Sequence, residues 1–570
     1  MNGFMIIILA AVVLVSAYMV YGRYLVKKWG IDPDAKTPAY TEEDGVDYVP
    51  ADTNVVFGHQ FASIAGAAPI TGPIQAAVFG WLPALLWILI GGVFFGAVQD
   101  FAAMYASVKN KGRSIGYIIE KYIGRTGKRL FLIFVWLFSI LVIAAFADVV
   151  ASTFQGFDEE GMKIAADGAV AATSILFIVF AVGLGFFLKN TSFHAGINTL
   201  VAILLLVAAI MIGINAPIYF SREFWLIFVF VYILIACVTP VWALLQPRDY
   251  LNSYLLIAMM LMAFIGIIVY RPAMNLAPFT AFKLVNEEAG TVSYLFPVLF
   301  VTIACGAVSG FHALVSSGTA SKQIKNEKAM LPVSYGAMLL ESFLAVIALV
   351  SVGFAATAEG LPAGTPAQVF ATSISTFLTK LGLPQSVSYT LITLAVSAFA
   401  LTSLDSVARV GRLSLQEFFM EEDREMGWAA KVFGNKWVAT VLTLALAFFL
   451  AKAGYESIWP LFGSANQLLS ALALISCAVF LKKTKRQGMM LWGPMFLMMA
   501  VTFTAIVLKI KELTASLCRE FDSGNVIQLL FAVLLLILGV IVAAEGLQKL
   551  FCPHFRKSHE IKDEDSEKLR

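Results

Sequence analysis

The chain repeats one pattern from end to end: about twenty mostly apolar residues, then a short connection that carries charge. A helix of that length crosses the about 30 Å of hydrocarbon in a bilayer, so each stretch is read as a membrane-spanning helix. The stretches fall near residues 4–24, 55–80, 82–108, 130–154, 168–188, 194–214, 223–245, 251–270, 294–320, 334–356, 387–408, 437–453, 457–481, 489–508 and 525–547. That is about fifteen spans. Of the 570 residues 59% are apolar and 14% charged, whereas a soluble domain carries about 25% charge. A soluble enzyme, a nucleic-acid binder and a disordered scaffold are thereby excluded. The net charge of +3 leaves no clustered excess for a nucleic-acid partner. The fold class expected is all-α integral membrane, with the lipid bilayer as its surroundings.

Phe4 to Tyr24 lacks the basic start of a signal peptide and runs into Arg23, Lys27 and Lys28. It reads as a retained helix that enters with its N-terminus outside. With the C-terminus in the cytoplasm, alternate connections hold 31 of the 40 Lys and Arg and leave 9 to the other side, the asymmetry expected of inside loops. Arg248 counts among the inside cations. Residues 28–54 read as an acidic cytoplasmic linker. The stretch 413–436, with Phe418, Phe419, Trp428 and Phe433 among charges, reads as amphipathic on the inner leaflet. The tail after Pro553 is charged, the composition of a disordered segment. Cys237, Cys305, Cys477, Cys518 and Cys552 show no paired spacing, so neither a disulfide framework nor a zinc site is expected.

The pattern is broken between Val55 and Gly80, where Gly66, Ala67, Pro69, Thr71, Gly72 and Pro73 crowd the middle of a span. Two prolines remove backbone donors and the glycines open other conformations, so two half-helices are expected. Such a break persists in a bilayer only where protein or a water-filled cavity satisfies the freed groups. Thr71 or Gly72 would cap the second half-helix with Pro73 at its first position. The free N–H groups near Ile74 and Gln75 would then suit a carboxylate. The alternative is a proline kink used for packing.

A second irregular span, 294–320, holds Gly306, Gly310, Ser316 and Gly318. Its His312-x-Leu314-x-Ser316 repeats His59-x-Phe61-x-Ser63 at a distance of 253 residues. Broken helices at corresponding places in two halves point to an inverted repeat. The second lies seven spans after the first, an odd offset that gives opposite directions, although both histidines fall nearer the cytoplasm. Thr239-Pro240 suggests a third break.

Charges at membrane depth are costly, so each is a candidate for function with a named partner. Asp100 shares a helical stripe with Gly92 and Gly96, and Glu341 with Ala337 and Ala345, small-residue faces that face protein and not lipid. Asp405 lies on a polar face with Thr402, Ser406 and Arg409. These three acids, with His59 and His312, are the candidate proton or cation relay. The competing expectation is internal pairing, Asp405 with Arg409 at i, i+4 and the others with Arg412 or Lys322. Asp148 reads as an interfacial residue or outer gate. His194, His554 and His559 fall in loops or the tail. No H-E-x-x-H, P-loop or G-x-S-x-G spacing occurs, so neither ATP-driven nor hydrolase chemistry is signalled.

Several of these stretches resemble one family. Phe57-Gly58-His59-Gln60-Phe61 through Gly72-Pro73, Gly96-Ala97-Val98-Gln99-Asp100-Phe101, the run from Cys305-Gly306-Ala307 to Phe311-His312-Ala313-Leu314, Tyr335-Gly336-Ala337 to Glu341-Ser342, and Trp459-Pro460-Leu461 to Asn466-Gln467 are similar to motifs of the carbon starvation protein A (CstA) family. The resemblance implies a bacterial or archaeal inner-membrane secondary transporter, a LeuT-like inverted-repeat bundle with discontinuous helices. It also implies uptake of short peptides or pyruvate, with no cofactor beyond a coupling ion, H+ or Na+. The substrate would sit at Gly66, Ala67, Pro69, Thr71, Gly72, Pro73 and Gln75, with Gly310 and Ser316. Ion coupling would fall to His59, Asp100, His312, Glu341 and Asp405. The Trp459 to Gln467 motif implies a gate or core contact. The chain then divides into an N-terminal span (1–27), a cytoplasmic linker (28–54), the transporter core (55–484) with breaks near 66–73 and 306–318, C-terminal spans (485–548) and a cytoplasmic tail (549–570). The alternative is a nutrient sensor that binds such a ligand without moving it.

Overall fold

The structure is a computed structural model that describes residues 2–44, 48–157, 160–190, 195–239, 244–286, 291–357, 360–419, 427–486, 488–519 and 521–551. His194, Pro240, His554, His559 and the tail beyond residue 551 lie outside these residues.

Helix α1 (Gly3–Trp29) leads through the linker to a pair of half-helices, α2 (Thr53–Ile64) and α3 (Ala68–Phe79), bent by 44°. Then come α4 (Trp81–Lys109), α5 (Arg125–Thr153), α6 (Ala165–Phe187), α7 (Ala195–Asn215), α8 (Arg222–Val238) and α9 (Leu245–Tyr270). A hairpin of β1 (Lys283–Asn286) and β2 (Thr291–Tyr294), with Lys283 opposite Tyr294, precedes the second broken span, α10 (Leu295–Thr302) and α11 (Gly310–Gly318). The rest are α12 (Glu327–Ala355), α13 (Pro366–Thr379), α14 (Gln385–Phe419), α15 (Lys436–Ala451), α16 (Tyr455–Lys483), α17 (Met489–Arg519) and α18 (Ser523–Phe551).

Among the described residues 10 helices are long and apolar enough to cross a membrane, or 11 when α2 and α3 count as one span. The remaining sequence candidates fall on α7, α8, α15 and the halves α10 and α11. Helix α7 has 21 residues, and α8 and α15 have 17 and 16. At 294–320 hydropathy adds up apolar residues that no one continuous helix carries. Helix α13 goes unnoticed in the sequence because its short apolar face alternates with Gln368, Thr372, Ser373, Ser375 and Thr376.

Burial separates a core from a rim. The apolar window of α16 is 100% buried, against 89% for α14, 83% for α5 and α12, and 28% for α1. The outward residues of the rim helices, such as Leu9 and Val12 on α1 or Leu530 and Ile537 on α18, are exposed and apolar, as a lipid-facing surface requires. Helix α16 packs closely at the centre where small residues such as Gly463 stand between its large ones. A methyl group at Gly463 would overlap the Val301 carbonyl of α10, so glycine lets the two backbones touch.

The first break lies further upstream than the prolines suggest. The chain leaves the helix at Ala65 and Gly66 and re-enters at Ala68, with Ala67 as cap and Pro69 in the first turn. Pro73 sits inside α3. Proline is tolerated in a first turn, and the N–H missing at Pro73 would have met the carbonyl of Pro69, four residues back. The N–H groups without an intrahelical acceptor are therefore those of Ala67 and Ala68, not those near Ile74 and Gln75. Helix α8 ends at Val238, with Thr239 extended. In the amphipathic stretch, α14 runs on to Phe419 and a short helix spans Trp428–Phe433, and the rings of Phe419 and Phe433 stack at 4.5 Å.

Candidate functional site

Three helices bring one imidazole between two carboxylates. His312 on α11 has its Nδ1 3.1 Å from Asp100 Oδ2 of α4 and its Nε2 3.2 Å from Glu341 Oε2 of α12. All three side chains are 0% exposed. Each acid follows a stretch of π-helix, Gly92–Gly96 in α4 and Leu331–Gly336 in α12, a local widening that recurs at functional sites. The close approach is set by small residues. A Cβ at Gly96 would stand 2.8 Å from Met338 Cε, and one at Gly306 would stand 2.6 Å from Ala345 Cβ.

A polar shell holds the cluster. Gln99 donates to the Ser309 carbonyl at 2.6 Å and to Asp100 Oδ1 at 3.4 Å, and accepts from Ser470 of α16. Asn466 of α16 accepts from the Phe311 N–H at 3.1 Å and donates to Ser309 Oγ at 3.1 Å and to Cys305 Sγ at 3.4 Å. A neutral imidazole has one N–H and one lone pair. With the N–H turned to Asp100, the Nε2 lone pair faces a carboxylate oxygen, and a proton held by either group or a bound cation between them removes that repulsion. Neither Nε2 nor either oxygen of Glu341 makes a hydrogen bond.

The expected partners Arg412 and Lys322 are thus replaced by His312 for Asp100 and Glu341. Asp405 is paired too, though not with Arg409. It accepts from Arg248 of α9 and, at 2.8 Å, from Tyr232 of α8. Arg409 donates to the carbonyls of Ala236 and Thr239, and Arg412 to that of Cys237, where the end of α8 needs donors. Arg248, assigned to a loop by the charge count, is 1% exposed and also contacts Asp249 at 3.2 Å. His59 lies 3.8 Å from Asp249. It therefore belongs with the Arg248 network and apart from His312. Asp148 pairs with Arg222.

The candidate substrate residues gather where the two broken spans meet. Gln60 donates to Ser316 at 2.8 Å. A methyl at Gly72 would stand 2.6 Å from the Thr302 carbonyl, and one at Gly66 would stand 2.5 Å from Ser403 Oγ of α14. Gly310 lies against the backbone of Asn466 and Ser470. Ala67, Pro69 and Pro73 are buried and Gln75 is half-buried. A small, mostly apolar cavity beside α3 is lined by Thr71, Val149, Ser152, Thr153, Thr365, Pro366 and Ala367. The contacts of Asn466 and the 2.5 Å bond from Gln467 to the Phe300 carbonyl make the Trp459 to Gln467 stretch a core contact that holds both sides of the second break. Sequence reading passed over Cys305, Gln99 and Arg248. The seven-residue spacing of Cys305 and His312 is the one available signal for Cys305.

Comparison with known proteins agrees with these motifs. The chain matches the family described as carbon starvation protein CstA over residues 2–363 and 355–505. The peptide transporter CstA of Escherichia coli (strain K12) is 32% identical over 558 residues, covering 85% of this chain and 78% of that protein. The peptide transporter CstA of Bacillus subtilis (strain 168) is 32% identical over 535 residues, covering 85% and 86%. The pyruvate/proton symporter BtsT of Escherichia coli (strain K12) is 30% identical over 571 residues, covering 84% and 78%. Among solved structures, the Eremococcus coleocola manganese transporter bound to an aromatic bis-isothiourea substituted compound aligns at a TM-score of 0.48 with 12% identity, over 89% of this chain and 99% of that one. MhsT in complex with L-phenylalanine aligns at 0.46 with 14% identity, over 87% and 99%. With matching segments that run from its first helix into α17, the chain belongs to the carbon starvation protein CstA family.

Proposed function

We propose that the chain is a secondary active transporter that imports small carboxylates or short peptides, pyruvate or di- and tripeptides, by alternating access about a midplane site. The gradient of a coupling cation, H+ or Na+, drives it. The observation that carries this reading is the contact of Gly72 in α3, just past the first break, with Thr302 at the edge of the second break, whose far side carries His312 into a fully buried cluster with two carboxylates. Broken backbone at membrane depth offers N–H groups to a substrate carboxylate, and buried acids are where a transporter holds its driving ion. The substrate carboxylate is assigned to the Gly66 to Ala68 turn and the coupling cation to the gap between His312 and Glu341.

The arrangement favours a LeuT-like inverted repeat. Each broken span is followed by a helix that carries a π-segment and then a buried acid, Asp100 in one half and Glu341 in the other. The N-terminus is assigned to the outside and the C-terminus to the cytoplasm of the bacterial inner membrane. With Arg248 buried in the bundle, that orientation leaves 30 cations on the inside and 9 on the outside.

The test is uptake of labelled pyruvate against labelled di- and tripeptides by the purified chain in liposomes, with pH and sodium gradients imposed separately. Accumulation above equilibrium that collapses with one gradient is expected. Saturable binding without accumulation rejects transport in favour of a sensor.

A further inference from the structure

We propose that Cys305, His312 and Glu341 form a binding site for one borderline divalent transition-metal ion of the Zn2+ class, with Asp100 as the outer acceptor that orients His312. A ligand atom from each of the three side chains lies within 4.8 Å of the others, and all three residues are buried. The His312 to Glu341 edge of 3.2 Å fits two ligands on one ion, because bonds of about 2.0–2.1 Å at tetrahedral angles place their donors roughly 3.3 Å apart.

The second observation is the state of those atoms. His312 Nε2 and both oxygens of Glu341 are buried and lack hydrogen-bond partners, although an unpaired buried polar atom costs about 1–3 kcal/mol. Two acceptors turned toward each other share either a proton or a metal ion, and the sulfur of Cys305 beside them points to the metal. Asp100, on the far nitrogen at 3.1 Å, fixes the N–H there and leaves Nε2 as the ligand, the carboxylate–histidine–metal arrangement. Asn466 donates to Cys305 Sγ at 3.4 Å, and Cys305 in turn donates to Ser309 Oγ at 3.6 Å, which together hold the sulfur in place.

Charge and donor type then select the ion. The thiol of Cys305 gives its proton to water as the sulfur–metal bond forms, and thiolate and carboxylate together neutralise a divalent ion. A set of one sulfur, one nitrogen and one oxygen suits Zn2+ or Co2+ and disfavours Mg2+, Ca2+ and Na+, which take oxygen. Bound metal would tie the second break to α11 and α12 and compete with the coupling cation for Glu341. The binding does not depend on whether the chain transports.

The test uses the full chain, purified without a tag, stripped of metal and carrying Cys518→Ser and Cys552→Ser, in which Cys237, Cys305 and Cys477 remain. Prolonged incubation with Co2+ should give one ion per chain and a sulfur-to-cobalt charge-transfer band, and Zn2+ should displace it while Mg2+ does not. Cys305→Ser should abolish the band and Cys477→Ser should leave it. Asp100→Asn, which keeps every ligand, should weaken Zn2+ binding about 10–100-fold. No band, a band that survives Cys305→Ser in a monodisperse protein, or unchanged affinity in Asp100→Asn overturns the site. Uptake by the metal-free chain in liposomes is scored separately, so failed transport and failed metal binding are told apart.

Discussion

Arg248 donates to Asp405 where neither side chain is more than 1% exposed, and the pair joins α9 to α14 deep inside the bundle. Tyr232 completes the contact from α8, accepting from Arg248 at 2.5 Å while donating to Asp405. Removal of one partner leaves a buried charge uncompensated, which costs about 3–5 kcal/mol, whereas replacement of both by apolar groups is far milder. Arg248→Met and Asp405→Leu should each lower the unfolding midpoint in detergent sharply, and the double variant should regain most of the loss. A double variant as unstable as the sum of the singles would mean that the two residues act independently.

Asp100→Asn keeps the shape of the side chain beside His312 and removes its charge. Gradient-driven accumulation should be lost, while counterflow exchange, which needs substrate binding and reorientation but no net ion movement, should persist. Unchanged accumulation would sink the coupling role.

Gly66→Ala puts a carbon 2.5 Å from Ser403 Oγ and 3.3 Å from the ring of Phe146. Overpacking of this kind costs about 1–3 kcal/mol, and here it falls on the turn assigned to the substrate. Uptake should fall by about tenfold or more for each 1.4 kcal/mol carried by the transition state. Ser403→Ala, combined with it, should restore part of the rate. If the double variant is no faster than the single, the defect lies in the backbone and not in the contact.

The orientation has its own reporter. Cys518 is exposed near the end of α17, while Cys237, Cys305 and Cys477 are buried. In intact cells that express the Cys552→Ser variant, a membrane-impermeant maleimide should reach Cys518 from outside. Labelling that needs permeabilised cells would invert the assignment.

Much of the fold was legible because a bilayer allows so few solutions. Apolar length marks helices, and the cluster of Gly66, Pro69, Gly72 and Pro73 marks the break to within a few residues. Its position was misjudged because the glycine before Pro69, not either proline, supplies the turn. Asp100, Glu341 and His312 were legible as polar residues on small-residue faces. Their meeting was not, since it depends on where α11 restarts after a seven-residue gap. Arg248 stayed hidden because a charge tally treats every cation at a helix end as solvated. Cys305 stayed hidden because its one signal, the seven-residue spacing to His312, crosses the second break and so marks no single helix face.

The grip of α16 on the second break has a consequence for how the molecule can move. Gln467 holds Phe300 before the gap, Asn466 holds Ser309 and Phe311 after it, and Gly463 and Gly310 close the remaining space. So fastened on both flanks, α10, α11 and α16 should travel as one rigid frame, with the working seam expected opposite, where Gly66 meets Ser403 and His59 meets Asp249. A covalent staple from α16 to α11 should leave the cycle running, and one from α2 to α14 should stop it.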